Sequence, residues 1–163
     1  PDCSGSALDI LPGQTVTLYV AAQTEPPAPW FDRIYGAEYR IAGLPETWIV
    51  TTTPGPEVSV SIGDPFGGGV ILAFPSCLQG CLLLHSVSLF ATTWVQDRAL
   101  EIVRHTNPSP PYGIPMDCPW LWYMCDAPAD PPASCAEPRN LTINATIGAA
   151  PSRWSALKRL YAR

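Results

Sequence analysis

Two histidines, fourteen carboxylates and six cysteines are the side chains of this 163-residue chain whose types could do chemistry. His85 sits in an apolar–polar alternating run and His105 precedes a proline-rich stretch, and neither stands beside a nucleophile or a second metal ligand in a recognisable motif. Both read as ordinary strand or surface histidines. The chain has no G-x-S-x-G, H-E-x-x-H, phosphate-binding loop or dinucleotide fingerprint. A carboxylate pair for glycoside hydrolysis has no local signature, so a glycoside-active enzyme stays as the third reading. Asp64-Pro65-Phe66-Gly67-Gly68-Gly69 lacks the alternating oxygen ligands of a calcium loop and reads as a tight turn. The expectation is a non-enzyme with no catalytic residue, no metal and no cofactor.

The cysteines are Cys3, Cys77, Cys81, Cys118, Cys125 and Cys135. Their spacings, C-x3-C and C-x6-C, are not the paired C-x2-C of a zinc site. An even count in a lysine-poor, proline-rich chain predicts three disulfides and an oxidising, extracellular compartment. A local Cys77–Cys81 bridge and one within 118–135 are the simplest pairings, and the sequence does not choose. A start at Pro1 reads as a chain whose secretion signal has been removed. No apolar run approaches the ~20 residues of a membrane span.

Two further groups are candidates for binding or modification. Trp120 and Trp122 share a strand face with Met124 and could stack on sugar rings, although aromatics at this spacing are more often core. Asn140-Leu-Thr142 and Asn144-Ala-Thr146 are glycosylation sequons, and such sequons also arise by chance in threonine-rich strands.

Charge is distributed unevenly. Residues 1–150 hold all fourteen acids and five bases, a net of −9, while 151–163 hold four bases and no acid. The acidic body argues against nucleic acid as a partner. The tail carries Arg153, Trp154, Leu157, Lys158, Arg159, Leu160 and Tyr161. Ser152 is a good N-cap, and Trp154, Leu157 and Tyr161 recur at helical spacing, so one or two helical turns are expected. A helix this short is marginal alone and must dock on something.

The elements that position these groups follow from punctuation and period. Twenty prolines and twelve glycines break long helices. Strands are predicted over 15–20, 37–41, 48–52, 57–62, 70–74, 82–90, 99–104, 120–124 and 141–147, with no helix before residue 151. Strands at this spacing imply an all-β, two-sheet antiparallel sandwich, with two closed jelly-roll sheets the expected variant. The domain is assigned to 1–150 and the basic-aromatic tail to 151–163.

Residues 36–45 with Trp48, then Gly63-Asp64-Pro65-Phe66, Ala73-Phe74-Pro75-Ser76-Cys77, Cys118-Pro119 and Cys125-Asp126-Ala127-Pro128, resemble a group of secreted bacterial β-sandwich proteins of no assigned function. Those chains similarly end in Trp-x-x-hydrophobic-Lys-x-hydrophobic-aromatic, as Trp154, Leu157, Lys158, Leu160 and Tyr161 do here. The strand order also resembles cohesin-type sandwiches at the level of fold. The resulting expectation is an extracellular structural or interaction protein that associates with itself into a surface or filamentous assembly. The alternative is a secreted carbohydrate- or surface-binding module.

Overall fold

The computed structural model describes residues 7–23, 33–107, 121–124, 133–135 and 141–145. Eleven strands form among them: β1 (Ala7–Leu8), β2 (Thr15–Gln23), β3 (Ile34–Ala42), β4 (Ile49–Pro54), β5 (Val60–Asp64), β6 (Gly69–Leu78), β7 (Cys81–Phe90), β8 (Arg98–Val103), β9 (Leu121–Met124), β10 (Ala133–Cys135) and β11 (Leu141–Ile143). All nine predicted strands are present. The short β1 and β10 carry too little pattern to be read from sequence. No helix occurs among the described residues, and therefore none there is long and apolar enough to cross a membrane.

The strands make two sheets. The larger has eight strands, ordered β1-β11-β8-β3-β6-β5, with β9 also on β3 and β10 on β9, and the smaller is β2-β7-β4. The expected all-antiparallel pairing needs one correction, because β1 and β11 pair in parallel. Parallel neighbours require a long crossover, and almost the whole domain separates these two strands in sequence.

A core of alternating apolar residues joins the sheets, with Ile34, Tyr39, Leu72, Leu84, Val87 and Leu89 among its most deeply buried members. On β7, Leu84 and His85 are both buried although neighbours on a regular strand face opposite ways. The cause is a register shift against β2: Val20 pairs with His85, and Ala21 with Leu83. This bulge lets Leu82 and Leu84 on one side of it, and His85, Val87 and Leu89 on the other, all enter the core. Gly55 lies against the bulge, its amide donating to the Leu84 carbonyl at 2.9 Å. A Cβ at Gly55 would fall 1.9 Å from the Leu83 oxygen, so only glycine fits.

Three predicted boundaries move for physical reasons. β5 begins at Val60 because the Val58 amide closes a turn on the Gly55 carbonyl at 3.1 Å. β6 continues through Pro75 because its ladder with β3 slips between Gly36↔Ala73 and Ile34↔Leu78, a break in which proline costs no ladder bond. β11 stops at Ile143 because Asn144 takes a left-handed φ of 47°. The helix expected in 151–163, Trp120, and Cys3, Cys118 and Cys125 lie outside the described residues. Cys77 and Cys81, which flank the passage from the large sheet to the small one, are both disulfide-bonded.

Candidate interaction surface

His85 lies on β7, and of the two expected positions, strand or surface, it takes the strand, with its side chain in the core at 1 % exposure. Its Nδ1 lies 2.5 Å from the Tyr39 hydroxyl, across the gap between β7 and β3. With the imidazole neutral and its proton on Nε2, Tyr39 donates and Nδ1 accepts. Burial lowers the His85 pKa below its ordinary value, an effect the Asp64 charge partly opposes. Burial likewise raises the Tyr39 phenol. Two neutral groups that satisfy one another inside a core make a structural joint.

His105 accepts a bond from the Asn107 amide at 3.0 Å, and its ring packs against Gly69. Asp64 accepts from the Phe66 amide at 2.9 Å through Oδ1, and its carbonyl accepts from Gly67, closing the turn between β5 and β6. No cluster of three or more His, Cys, Asp or Glu side chains able to hold a metal occurs among the described residues. Glu38, on β3, is buried and engaged in an interaction of its own.

Asn144, one of the two sequon asparagines, is 6 % exposed. Its Nδ2 donates to the carbonyls of Ile10 at 2.9 Å and Val95 at 2.8 Å, and its Oδ1 accepts from the Ile10 amide at 2.8 Å. The side-chain amide thus behaves like a short piece of strand, tying the segment after β1 and the loop before β8 to the end of β11. Both amide hydrogens that a glycan attachment would compete for are already engaged. A shallow groove of about 410 Å³ beside this clamp is lined by Asp9, Leu11, Gln14, Trp94 and Gln96 among others. Asn140 lies outside the described residues.

Trp122 stands on β9 opposite Ala37, a core position, while Leu121 and Tyr123 stand opposite Glu38 and Gly36. Trp120 lies outside the described residues.

The surfaces are more informative than the interior. On the outer side of the small sheet, cross-strand register makes three rows: Thr15–Phe90–Ile49, Thr17–Ser88–Thr51 and Tyr19–Ser86–Thr53. None of the nine is charged, and Tyr19 and Ile49 are 63 % and 60 % exposed. On the large sheet, β5 forms one end, and all five of its residues are exposed. Val60 and Ile62 pair with Ala73 and Ile71 on β6, so these four share one sheet face. Glu57 precedes this patch and Asp64 ends it.

The exposed charge of the described body is strongly one-sided. Asp9, Glu46, Glu57, Asp64, Asp97 and Glu101 are exposed, against Arg98 alone among the bases, since Arg33, Arg40 and Arg104 are half-buried. Compared with family models, with curated proteins and with solved structures, the chain has no significant match in any of the three.

Proposed function

We propose that this chain is an extracellular structural or interaction protein whose copies associate, the basic-aromatic tail of one docking on the acidic body of another. The finer fold proposed with it is a disulfide-stapled sandwich of jelly-roll or cohesin-like kind. The observation that carries the reading is the separation of charge. Exposed acids outnumber exposed bases six to one among the described residues, while residues 151–163 hold four bases and no acid. Complementary potentials of this sort steer association and weaken with salt. Trp154 and Tyr161 are residue types that anchor interfaces, and arginines favour them too. A head-to-tail contact that does not close on itself grows into a filament.

The test is sedimentation of the full chain beside its Trp154→Ala variant, at low and high salt. The expected result is concentration-dependent assembly of the parent, weakened by salt and lost in the variant. Equal assembly by both proteins overturns the reading.

A second reading, a secreted carbohydrate- or surface-binding module, is favoured by the uncharged face of the small sheet. Its Thr and Ser hydroxyls and the exposed Tyr19 suit a neutral glycan, the aromatic ring stacking and the hydroxyls exchanging hydrogen bonds. Retention on immobilised neutral polysaccharide, lost in Tyr19→Ala, is the outcome this reading requires.

A further inference from the structure

We infer that the tail's docking site is the outer patch of β5 and β6, with residues 151–163 of a second copy as its occupant; this rests on the self-association proposed above and adds the location. Val60 and Ile62 are 45 % and 62 % exposed, β-branched, and next to each other on one face. Ile71 and Ala73 extend that face across the strand pair and are only half-buried. Two exposed and two half-buried apolar side chains clustered at the end of a sheet form a surface that gains by being covered. Natural sheets protect terminal strands with charge, proline or a covering element. Here neither β5 nor its partner positions on β6 carry charge before Asp64.

Charge selects the occupant. Glu57 stands before the patch and Asp64 at its far end, both exposed, so the apolar cluster is bracketed by acids at its two ends. The tail has the matching arrangement: Trp154, Leu157, Leu160 and Tyr161 are apolar, with Arg153 before them, Lys158 and Arg159 among them, and Arg163 after them. As a helix, the stripe from Trp154 to Tyr161 is roughly 10 Å long. Successive same-face residues on a strand lie about 7 Å apart and adjacent strands about 5 Å, so the two apolar areas are of similar extent. The small sheet's outer face offers apolar corners as well, but its nine register positions contain no acid and give the tail's bases nothing to pair with.

The experiment compares self-association of the full chain, by sedimentation at low salt, among the parent, Trp154→Ala, Ile62→Lys, Glu57→Lys, and Glu57→Lys combined with Arg159→Glu. Ile62 and Glu57 are exposed, so far-UV circular dichroism and Tm should match the parent. The inference expects Ile62→Lys to weaken association about tenfold or more, as loss of an interface anchor does. It expects Glu57→Lys to weaken association and the added Arg159→Glu to restore part of it. If Trp154→Ala abolishes assembly while Ile62→Lys and Glu57→Lys leave it intact, the tail docks elsewhere. That outcome overturns the location and spares the self-association reading. If Trp154→Ala leaves assembly unchanged, both fall together.

Discussion

The two sheets of this protein treat their margins differently. The large sheet is closed at its β1–β11 end by side-chain chemistry: Asn144 holds Ile10 and Val95, and its own amide donates to the Leu8 carbonyl at 2.8 Å. The small sheet is held by backbone ladders to β7, and neither β2 nor β4 has a second strand partner among the described residues. The outer faces differ in the same sense. The large sheet leaves an apolar patch at β5, whereas the outer face of the small sheet presents hydroxyls and no charge. A margin stapled by buried polar contacts is built for stability. An uncovered apolar one at the opposite end is where association is to be sought.

The largest effect is expected at the staple. Asn144→Ala removes three side-chain bonds, leaves the Ile10 amide and two carbonyls without their partner, and places alanine at a φ of 47°. Orphaned buried groups cost about 1–3 kcal/mol each, partly recovered by water, so a loss of about 2–4 kcal/mol is expected. Urea unfolding measures it as a fall in midpoint. A loss under about 0.5 kcal/mol would break the contrast between a stapled and an open margin.

Next comes the joint between the sheets. Tyr39→Phe leaves His85 Nδ1 buried without its donor and should cost about 1–3 kcal/mol. The parent has a pH signature as well. His85 is less basic in the folded state than its ordinary 6.5, so below that pH the unfolded chain takes up a proton that the folded chain resists. Stability is therefore fully present above pH 6.5 and falls as pH drops below it, by at most about 1.4 kcal/mol per pH unit for one group. Tyr39 works in the other direction: its phenol is raised, so stability falls again above the ordinary value of 10.0. Unfolding midpoints from pH 4 to 8 in the parent and in His85→Phe test the acid limb, which should flatten in the variant.

The contrast also explains what could be read in the sequence. On the small sheet β2 was legible because it alternates cleanly: Thr15-Val16-Thr17-Leu18-Tyr19 puts hydroxyls and the tyrosine out and valine and leucine in. On the large sheet, Ala37 to Ile41 also alternates and reads as a strand, but which face is buried could not be read from it, since Gly36, Ala37, Glu38 and Tyr39 are buried in succession on a strand with neighbours on both edges. Burial on both faces erases the period of two on which the reading depends. The pairing of Tyr39 with His85 was out of reach for a different reason. It depends on a bulge opposite Val20 and Ala21, and a single extra residue in a strand leaves no mark in composition. Asn144 left a visible sequon, but its clamping role rests on partners 134 and 49 residues away.

The smallest effect is expected on the small sheet's outer face, and it bears most directly on which face associates. Thr51 lies in the middle row, exposed, opposite Ser88 and Thr17. Thr51→Lys adds a charge where none of the nine register positions has one, but it disturbs no buried contact. Threonine favours strands more than lysine does, so a small loss is expected, within about 0.5 kcal/mol. Assembly should be unchanged, because this face has no acid to attract the tail and the substitution lies on the other sheet from Val60 and Ile62. The informative measurement is sedimentation of Thr51→Lys beside Ile62→Lys under the same conditions. Weaker assembly in Ile62→Lys alone assigns the open end of the large sheet to self-association and leaves the neutral face free for a glycan. Weaker assembly in Thr51→Lys alone reverses the assignment: the hydroxyl face would be the contact between copies, and β5 an exposed end with no partner.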